Sequence, residues 1–265
     1  MNQQMRVGVI GAGVMGEALI SALIASGVKS DSVTISEKRV ERRDELIATY
    51  GVNASDLAAN VASAHAILLV VKPQDMAGVL DEMRETINPQ ALIVSFAAGK
   101  RIDFISQHLD NPVIRVMPNT ATMAGAGMAA MSLGAGVSPA QKEFVTKFLA
   151  ATGKVIEVPE DLQDAVTATS GSGPAYFFKF VEAMVAGAQE LGLSADDATT
   201  LTHQTIIGAA KLLETSGKSA TTLRENVTSP NGTTAAALAS FDAGELSSLV
   251  ARAMKAARDR SQELA

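Results

Sequence analysis

The chain has 265 residues, with 28 acidic and 22 basic side chains, a net charge of −6 and no cysteine. A hydrophobic fraction of 47% and a charged fraction of 19% are typical of a globular protein with an ample core. The acidic balance and an aromatic content of only 4% argue against nucleic acid as a partner, and the lack of cysteine excludes disulfides, thiolate metal sites and a cysteine nucleophile.

The sequence predicts a cytoplasmic protein without a membrane partner. The first residues, MNQQMRVGVIGAG, run directly into a strand pattern and contain no apolar region of the kind found in signal peptides. The stretch from Val116 to Gln141 carries no charge, but two prolines and four glycines favour loops and a strand over a spanning helix.

The first part of the chain alternates apolar runs with amphipathic stretches. The predicted strands are Arg6–Ile10, Ser32–Ile35, Ala66–Val71, Ala91–Ser95, Val113–Met117 and Lys154–Val158. The predicted helices are Val14–Ser26, Val40–Thr49, Gln74–Thr86, Arg101–Leu109 and Pro139–Ala150. This alternation is typical of a parallel sheet covered by helices on both faces. We therefore predict an α/β fold in which residues 1–160 form a Rossmann-type dinucleotide-binding domain.

A glycine-rich turn lies between the first predicted strand and the first predicted helix. It has the form GxGxxG and comprises Gly11, Ala12, Gly13, Val14, Met15 and Gly16. In this context the first glycine allows the tight turn, the second lets the backbone approach a pyrophosphate, and the third allows close packing. The helix N-terminus offers free N–H groups and a partial positive charge to the phosphates. We predict that these six residues bind a dinucleotide.

The end of the second predicted strand decides between the two nicotinamide cofactors. Ser36 is followed by Glu37, Lys38 and Arg39. A carboxylate here would bind the ribose hydroxyls of NADH, whereas Ser36, Lys38 and Arg39 could bind the 2′-phosphate of NADPH. Alternatively, the charged residues only solvate the start of a helix. We predict contacts from Ser36, Lys38 and Arg39 and a preference for NADPH, with NADH as the alternative cofactor.

From about Asp161 the chain is rich in alanine and helical in pattern, so residues 161–265 are predicted to form an all-helical domain. The segment Pro174–Leu191 has charge only at Lys179, Glu182 and Glu190. A helix this apolar is either the central helix of a bundle or a subunit interface. The interface is favoured because about 100 residues of helix make a thin bundle, and it predicts a homodimer.

The helical pattern is interrupted by the stretch VTSPNGTTAAAL, at residues 227–238. Pro230 and Gly232 end one helix, and Thr233 and Thr234 begin the next. One interpretation is an ordinary helix start with Thr233 as its N-cap. The other is an anion site, where N–H groups and two hydroxyls face a carboxylate. The residues alone leave both open.

Four segments occur together in one family: Val71-Lys72-Pro73, RVMPNT at residues 115–120, SGSGPAY at residues 170–176, and the SPNGTT break. With them the chain resembles the pyrroline-5-carboxylate reductases over essentially its whole length. The resemblance implies further cofactor contacts from Val71, Lys72, Pro73, Ala97, Ala98, Gly99, Met117, Pro118 and Asn119. It also implies a substrate loop made of Ser229, Asn231, Gly232, Thr233 and Thr234, in which Thr234 is the catalytic hydroxyl.

The resemblance further implies the reaction, which is reduction of 1-pyrroline-5-carboxylate, a cyclic imine carboxylate, to L-proline with hydride from NAD(P)H. The helical domain would interleave with its twin in a homodimer or an oligomer built from dimers, and the active site would lie between the cofactor cleft and the loop. One departure is Asn231, which stands where the family usually has glycine. Since asparagine tolerates left-handed backbone, we expect the turn to survive.

Two other functions are weighed against this one. A 3-hydroxyacid dehydrogenase of the 6-phosphogluconate type needs a helix-borne lysine, for which Lys179 and Lys211 lack the sequence context. A nucleotide-sensing module without catalysis would use the glycine-rich turn alone. No metal site is predicted, because His65, His108 and His203 are scattered singly.

Overall fold

The computed structural model describes residues 5–264. Residues 1–4 and residue 265, where the predicted domains begin and end, lie outside the described residues. Within this range eight strands are formed: β1 Val7–Ile10, β2 Val33–Ser36, β3 Asn53–Ala54, β4 Ala66–Leu69, β5 Leu92–Ser95, β6 Val113–Met117, β7 Gly127–Leu133 and β8 Gly153–Glu157. The helices of the first part are α1 Val14–Ala25, α2 Val40–Tyr50, α3 Leu57–Ser63, α4 Met76–Met83, α5 Ile102–Ser106, α6 Pro139–Ala150 and α7 Gln163–Val166. The helices that follow are α8 Gly173–Glu190, α9 Ala195–Thr215, α10 Ala220–Asn226, α11 Thr233–Ala243 and α12 Leu246–Glu263.

The strands form one sheet in the order β3-β2-β1-β4-β5-β6-β7-β8. All neighbours are parallel except β6 and β7, which are antiparallel with Arg115 opposite Ser132. The predicted parallel sheet is therefore confirmed for all neighbours except this pair. The connection is short, and a parallel partner would need a crossover of a dozen residues or more.

Apolar strands place the core on both faces of the sheet, as predicted. The residues of β1, β4 and β5 are all buried. One face packs Val9 and Leu68 against α1, while the opposite face packs Ile67 and Ile93 with residues of α4 such as Leu80. Such two-sided burial is expected of central strands in doubly wound folds.

Three local predictions differ from the observed elements. The helix predicted to start at Gln74 begins with a 3₁₀ turn at Pro73–Asp75, and its α-helical part is Met76–Met83. The predicted helix Arg101–Leu109 shortens to α5. Strand β3 and helix α3 are not among the predicted elements, because two strand residues and seven helical residues leave too short a periodic pattern.

The chain divides into two compact units. The first comprises residues 5–172 together with residues 257–264, and the second comprises residues 173–256. The sheet lies in the first unit, and the second is all helical, as predicted. The predicted boundary at residue 160/161 stays a prediction about domain architecture.

Helix α8 in the helical unit is largely uncovered within one chain. Of its 18 residues only Gly173 is buried, and Phe177 and Phe178 are each 65% exposed. It is therefore not the central helix of a bundle formed by a single chain, which leaves the subunit-interface interpretation. Across residues 5–264, no helix combines the length and the apolar character needed to cross a lipid bilayer.

Candidate functional site

A cleft of 1160 Å³ lies along the carboxyl ends of β1, β2 and β4. The chain runs from β1 outward through β2 to β3 and then returns to β4 on the other side of β1. Ligands of open α/β sheets bind at such a change of direction. The volume exceeds the range of about 300–1,000 Å³ that is usual for small-molecule sites, so an extended dinucleotide fits the cleft.

The glycine-rich turn forms one wall of this cleft and has the predicted close packing. Gly11 has a φ of +86°, and an added Cβ would lie 2.9 Å from the carbonyl oxygen of Val70. An added Cβ at Gly16 would lie 2.5 Å from the carbonyl oxygen of Gly11. At Gly13 the nearest such contact is 4.0 Å away, so the backbone there is open to approach. Gly13 is also the N-cap of α1, which receives no side-chain cap among the described residues.

The peptide groups on either side of Ala12 are held by charged side chains. The Ala12 N–H donates to Glu37 Oε2 at 3.0 Å, and the Ala12 carbonyl accepts from Arg42 Nε at 3.1 Å. Arg42 is anchored in turn by an ion pair with Glu17 at 2.5 Å. Since the Ala12 amide already has a partner, the amides that α1 can offer to phosphate are those that follow Gly13.

The carboxylate of Glu37 is buried beside the glycine-rich turn. Its side chain is only 8% exposed, and Oε1 accepts from Arg39 Nε at 2.9 Å. Burial by itself would raise the pKa of Glu37. The hydrogen bonds from the Arg39 guanidinium, the Arg39 amide and the Ala12 amide outweigh this effect and lower the pKa to about 2. Glu37 is therefore a fixed negative charge at physiological pH, with the Arg39 guanidinium, whose side chain is 62% exposed, bonded to it.

Ser36 ends β2, and its hydroxyl is already engaged. Ser36 Oγ lies within hydrogen-bonding distance of the carbonyl oxygens of Ser55 and Asp56, at 3.2 and 3.3 Å, and it accepts from Asn60 Nδ2 at 2.9 Å. A hydroxyl has one proton to donate, so Ser36 would contact a phosphate only after exchanging partners. Asn60 is 1% exposed and also donates to the Thr34 carbonyl at 3.1 Å, so it pins the end of β2.

The residues predicted from the family motifs separate into two groups. Val71 and Lys72 line the cleft, as do Ser36, Lys38 and Arg39. The residues at the ends of β5 and β6 lie along the same edge of the sheet, but they do not line the cleft in the described part of the chain, and neither does Pro73. They comprise Ala97, Ala98, Gly99, Met117, Pro118 and Asn119. Their role as cofactor contacts stays a prediction.

The SGSGP segment packs against the end of β6. Residues 167–171 form a π-helical turn, and the Ser170 hydroxyl donates to the Val166 carbonyl at 3.2 Å. An added Cβ at Gly171 would lie 2.5 Å from Met117 Cε, so Gly171 allows close contact with the Met117 side chain. The segment therefore forms a close-packing turn, and Ser170 has a structural hydrogen bond.

In the helical unit, the SPNGTT break separates α10 from α11, as predicted. Asn231 has a φ of +57°, so it adopts the left-handed backbone expected for this position. The N-cap of α11 is Gly232, and no side chain within the described residues caps the helix. The interpretation of Thr233 as the N-cap is therefore wrong, because Thr233 is the first helical residue. Thr233 is exposed and Thr234 is half-buried.

The side chains required by other chemistries are engaged elsewhere. Lys179 pairs with Glu182 at 2.9 Å and Lys211 pairs with Glu214 at 2.8 Å, and all four side chains are more than half exposed. An acid/base lysine needs a desolvated position, so neither lysine suits the 3-hydroxyacid dehydrogenase hypothesis. His108 Nδ1 lies 2.8 Å from Asp81, and across residues 5–264 no three His, Cys, Asp or Glu side chains are grouped in a way that could hold a metal ion.

Comparison with known families gives two matches, one at each end of the chain, which leave residues 100–159 unmatched. Residues 160–264 match the model described as pyrroline-5-carboxylate reductase dimerisation, and residues 6–99 match the model described as NADP oxidoreductase coenzyme F420-dependent. A pyrroline-5-carboxylate reductase of Pseudomonas aeruginosa is 40% identical over 264 residues, which cover 98% of this chain and 97% of that protein.

Solved structures give the same result. A pyrroline-5-carboxylate reductase from Coxiella burnetii superimposes with a TM-score of 0.92 at 32% identity and covers 99% of both chains. The Plasmodium falciparum pyrroline carboxylate reductase, solved with NADP bound, superimposes with a TM-score of 0.87 at 26% identity and covers 99% of this chain and 98% of the other.

Proposed function

The chain belongs to the pyrroline-5-carboxylate reductase family, and from that membership we propose that it reduces 1-pyrroline-5-carboxylate to L-proline with hydride from NAD(P)H, the last step of proline biosynthesis. The observation that best supports the proposal is the match at 40% identity over 98% of the chain to a pyrroline-5-carboxylate reductase. Two helix N-termini are in keeping with it, at Gly13 and at Gly232, where no described side chain forms a cap. Their first amides suit an anion, the cofactor pyrophosphate at α1 and the substrate carboxylate at α11.

The reaction adds hydride to the carbon of the C=N bond and a proton to the ring nitrogen. The nicotinamide supplies the hydride when the cofactor is bound. The protein must fix the ring in attack geometry through its carboxylate and place a donor near the nitrogen. Both requirements are met in the loop at residues 229–234, which offers backbone amides and two neighbouring hydroxyls.

The residues of the loop divide these tasks. The amides at the start of α11 hold the carboxylate, with Ser229 and Asn231 shaping the turn. The Thr234 hydroxyl donates to the ring nitrogen and relays the proton from water. Thr233, as the first helical residue, contributes its amide and an exposed hydroxyl to carboxylate binding.

On the cofactor side, the turn at residues 11–16 receives the pyrophosphate, and Val71 and Lys72 border the part of the cleft next to β4. Lys38 and Arg39 face the ribose phosphate of NADPH. Pro73, Ala97, Ala98, Gly99, Met117, Pro118 and Asn119 complete the contacts toward the nicotinamide.

The chain works as a homo-oligomer in which α8 lies at the subunit interface, and a dimer is the proposed building block. The proposal is supported by the match to the dimerisation model and by the exposed apolar side chains of α8. We also propose that the enzyme acts in the cytoplasm without a nucleic-acid partner, in keeping with its acidic composition.

A direct assay tests the function. Purified protein is mixed with NADPH and 1-pyrroline-5-carboxylate, and both NADPH oxidation and proline formation are measured. We expect stoichiometric conversion, and we expect much slower turnover of 1-pyrroline, which has the same imine but no carboxylate. Binding of NADPH without turnover would support the sensing module instead, and oxidation of a 3-hydroxyacid with NADP⁺ would support the dehydrogenase.

The cofactor prediction concerns the charges at the end of β2. Combined Lys38→Ala and Arg39→Ala substitutions should raise the KM for NADPH with little effect on NADH, because they remove contacts to the 2′-phosphate. We expect the KM for NADPH to rise about 3- to 10-fold. This is a small effect for the loss of phosphate contacts, because Arg39 is largely exposed and already bonded to Glu37. Arg43→Ala is a matched control, because Arg43 pairs with Asp44 and does not line the cleft.

Substitution of Glu37 tests the opposite charge at the same site. Glu37→Gln keeps the size of the side chain but removes the fixed negative charge, so kcat/KM for NADPH should rise relative to that for NADH. Steady-state kinetics with both cofactors decide the matter. A wild-type preference for NADH that is lost in Glu37→Gln would mean that Glu37 binds the ribose hydroxyls, contrary to the predicted preference for NADPH.

A further inference from the structure

The end of α12 packs against the nucleotide-binding unit, to which residues 257–264 belong. Ser261 in this segment is 3% exposed, and its hydroxyl donates to Asp164 Oδ1 at 2.7 Å. The same carboxylate oxygen lies 3.9 Å from the Arg115 guanidinium. This buried polar contact therefore fixes the position of the segment more closely than apolar packing alone would.

Arg115 connects this contact to the loop after β5. It lies on β6, it is 3% exposed, and its Nη1 is 3.4 Å from Glu160 Oε1. That oxygen also accepts the N–H of Ile102, the first residue of α5, at 2.6 Å. The other oxygen of Glu160 lies 3.5 Å from Arg101. One connected set of polar and charged groups, buried or half-buried except for the exposed Arg101, thus joins α12, β6 and the start of α5.

A second contact of the segment reaches the loop directly. Gly99 has a φ of +76°, and an added Cβ would lie 2.9 Å from the carbonyl carbon of Leu264 and 3.0 Å from its Cβ. The backbone of the loop and the backbone at Leu264 therefore approach each other at a distance that only glycine allows. The loop that holds residues 97–99 is contacted by Leu264 at Gly99 and fixed through Glu160 at Ile102.

The position of this loop along the sheet identifies the part of the cofactor that it serves. The adenosine end of a dinucleotide binds at the end of β2 and its pyrophosphate at the turn after β1. An extended cofactor then continues past β4 toward β5, the next strand in the sheet. Residues 97–99 follow β5 and so correspond to the nicotinamide half.

We propose that residues 257–264 are a positioning element that holds the loop at residues 97–99 in place for the nicotinamide half of the cofactor. The inference rests on the proposed function, since it needs a bound NAD(P)H. Ser261 and Leu264 thereby affect cofactor binding without touching the cofactor, because both act through the loop.

The test compares two ligands on the wild type and three variants. The variants are Ser261→Ala and a protein shortened to end at Gln262, and Glu263→Gln is the control, since the exposed Glu263 side chain pairs with Arg260 in the same helix. Binding of NADPH is titrated by its fluorescence. Binding of 2′-phospho-ADP-ribose, which lacks the nicotinamide, is measured by displacement of a fluorescent adenine nucleotide. Thermal unfolding is recorded for each protein.

We expect both variants to bind NADPH about 3- to 10-fold more weakly, the effect of losing one or two hydrogen bonds or close contacts, with unchanged affinity for 2′-phospho-ADP-ribose. Glu263→Gln should match the wild type for both ligands. Equal weakening for both ligands would show a purely structural role and overturn the inference, as would unchanged binding of NADPH. Tighter binding of NADPH by the shortened protein would also overturn it, because the segment would then cover the site. Failure of the wild type to bind NADPH would instead contradict the proposed function.

Discussion

Met184→Asp is expected to dissociate the oligomer and to remove nearly all reductase activity. Met184 lies on α8, where it is 38% exposed within one chain, close in sequence to Phe177 and Phe178, which are each 65% exposed. Burying a fully exposed side chain of this size contributes about 1.5–3 kcal/mol, and burying the exposed part of Met184 contributes a fraction of that. An aspartate in the same position loses that contribution and carries a charge into an apolar contact, which costs several kcal/mol more unless a partner is present.

Activity should be lost together with the oligomer because the proposed substrate loop lies in the same helical unit as α8. Once the partner subunit no longer covers α8, this unit keeps few buried side chains, and the geometry of residues 229–234 loses its support. Light scattering at micromolar concentration measures the mass, circular dichroism measures the helix content, and NADPH oxidation measures the activity.

Gln189→Asp is the matched control for this experiment. It adds the same charge to the same helix, at an exposed position that is already polar. It should leave both the oligomer and the activity unchanged. A Met184→Asp protein that stays oligomeric would refute the proposed interface, as would a wild type that is monomeric and fully active. A Met184→Asp monomer that is folded and fully active would refute the dependence of activity on the oligomer.

Features that depend on neighbouring residues could be predicted from the sequence. The turn at Gly11–Gly16 was predicted as a tight loop with close packing, since strand, glycines and helix follow one another directly. The left-handed backbone at Asn231 was expected from the resemblance, in which glycine stands at this position, and from the tolerance of asparagine for the same backbone. The helical pattern after residue 161 could likewise be predicted without knowledge of tertiary contacts.

Features that depend on distant residues could not be predicted. The direction of β7 is set by its pairing with β6, and the apolar pattern of a strand does not report its direction. The partners of the Glu37 carboxylate include an amide 25 positions earlier, at Ala12, which leaves no local pattern. The hydrogen bond from Ser261 to Asp164 joins residues 97 positions apart, so only the folded chain shows that residues 257–264 reach the nucleotide-binding unit.

Thr234→Ala is expected to lower kcat by about 10- to 100-fold with little change in the KM for NADPH. The residue is the second of α11, after the N-cap Gly232 and the first helical residue Thr233. Its hydroxyl is half-buried and lies beside amides that suit the substrate carboxylate. Positioned proton transfer contributes roughly 10²–10⁴-fold to rates, and a hydroxyl that water can partly replace should contribute at or below the low end of that range.

Two further variants separate the roles of the neighbouring hydroxyls. Thr234→Ser keeps the donor and should recover most of the lost kcat, since only a methyl group is removed. Thr233→Ala should act mainly on the KM for the substrate, because that exposed residue is proposed to contribute to carboxylate binding rather than to proton transfer. Steady-state kinetics of the three variants, with NADPH at saturation and 1-pyrroline-5-carboxylate varied, provide the comparison. If Thr234→Ala keeps the wild-type kcat while Thr233→Ala loses it, the two hydroxyls have the opposite roles, and the proton reaches the ring nitrogen from the first residue of the helix.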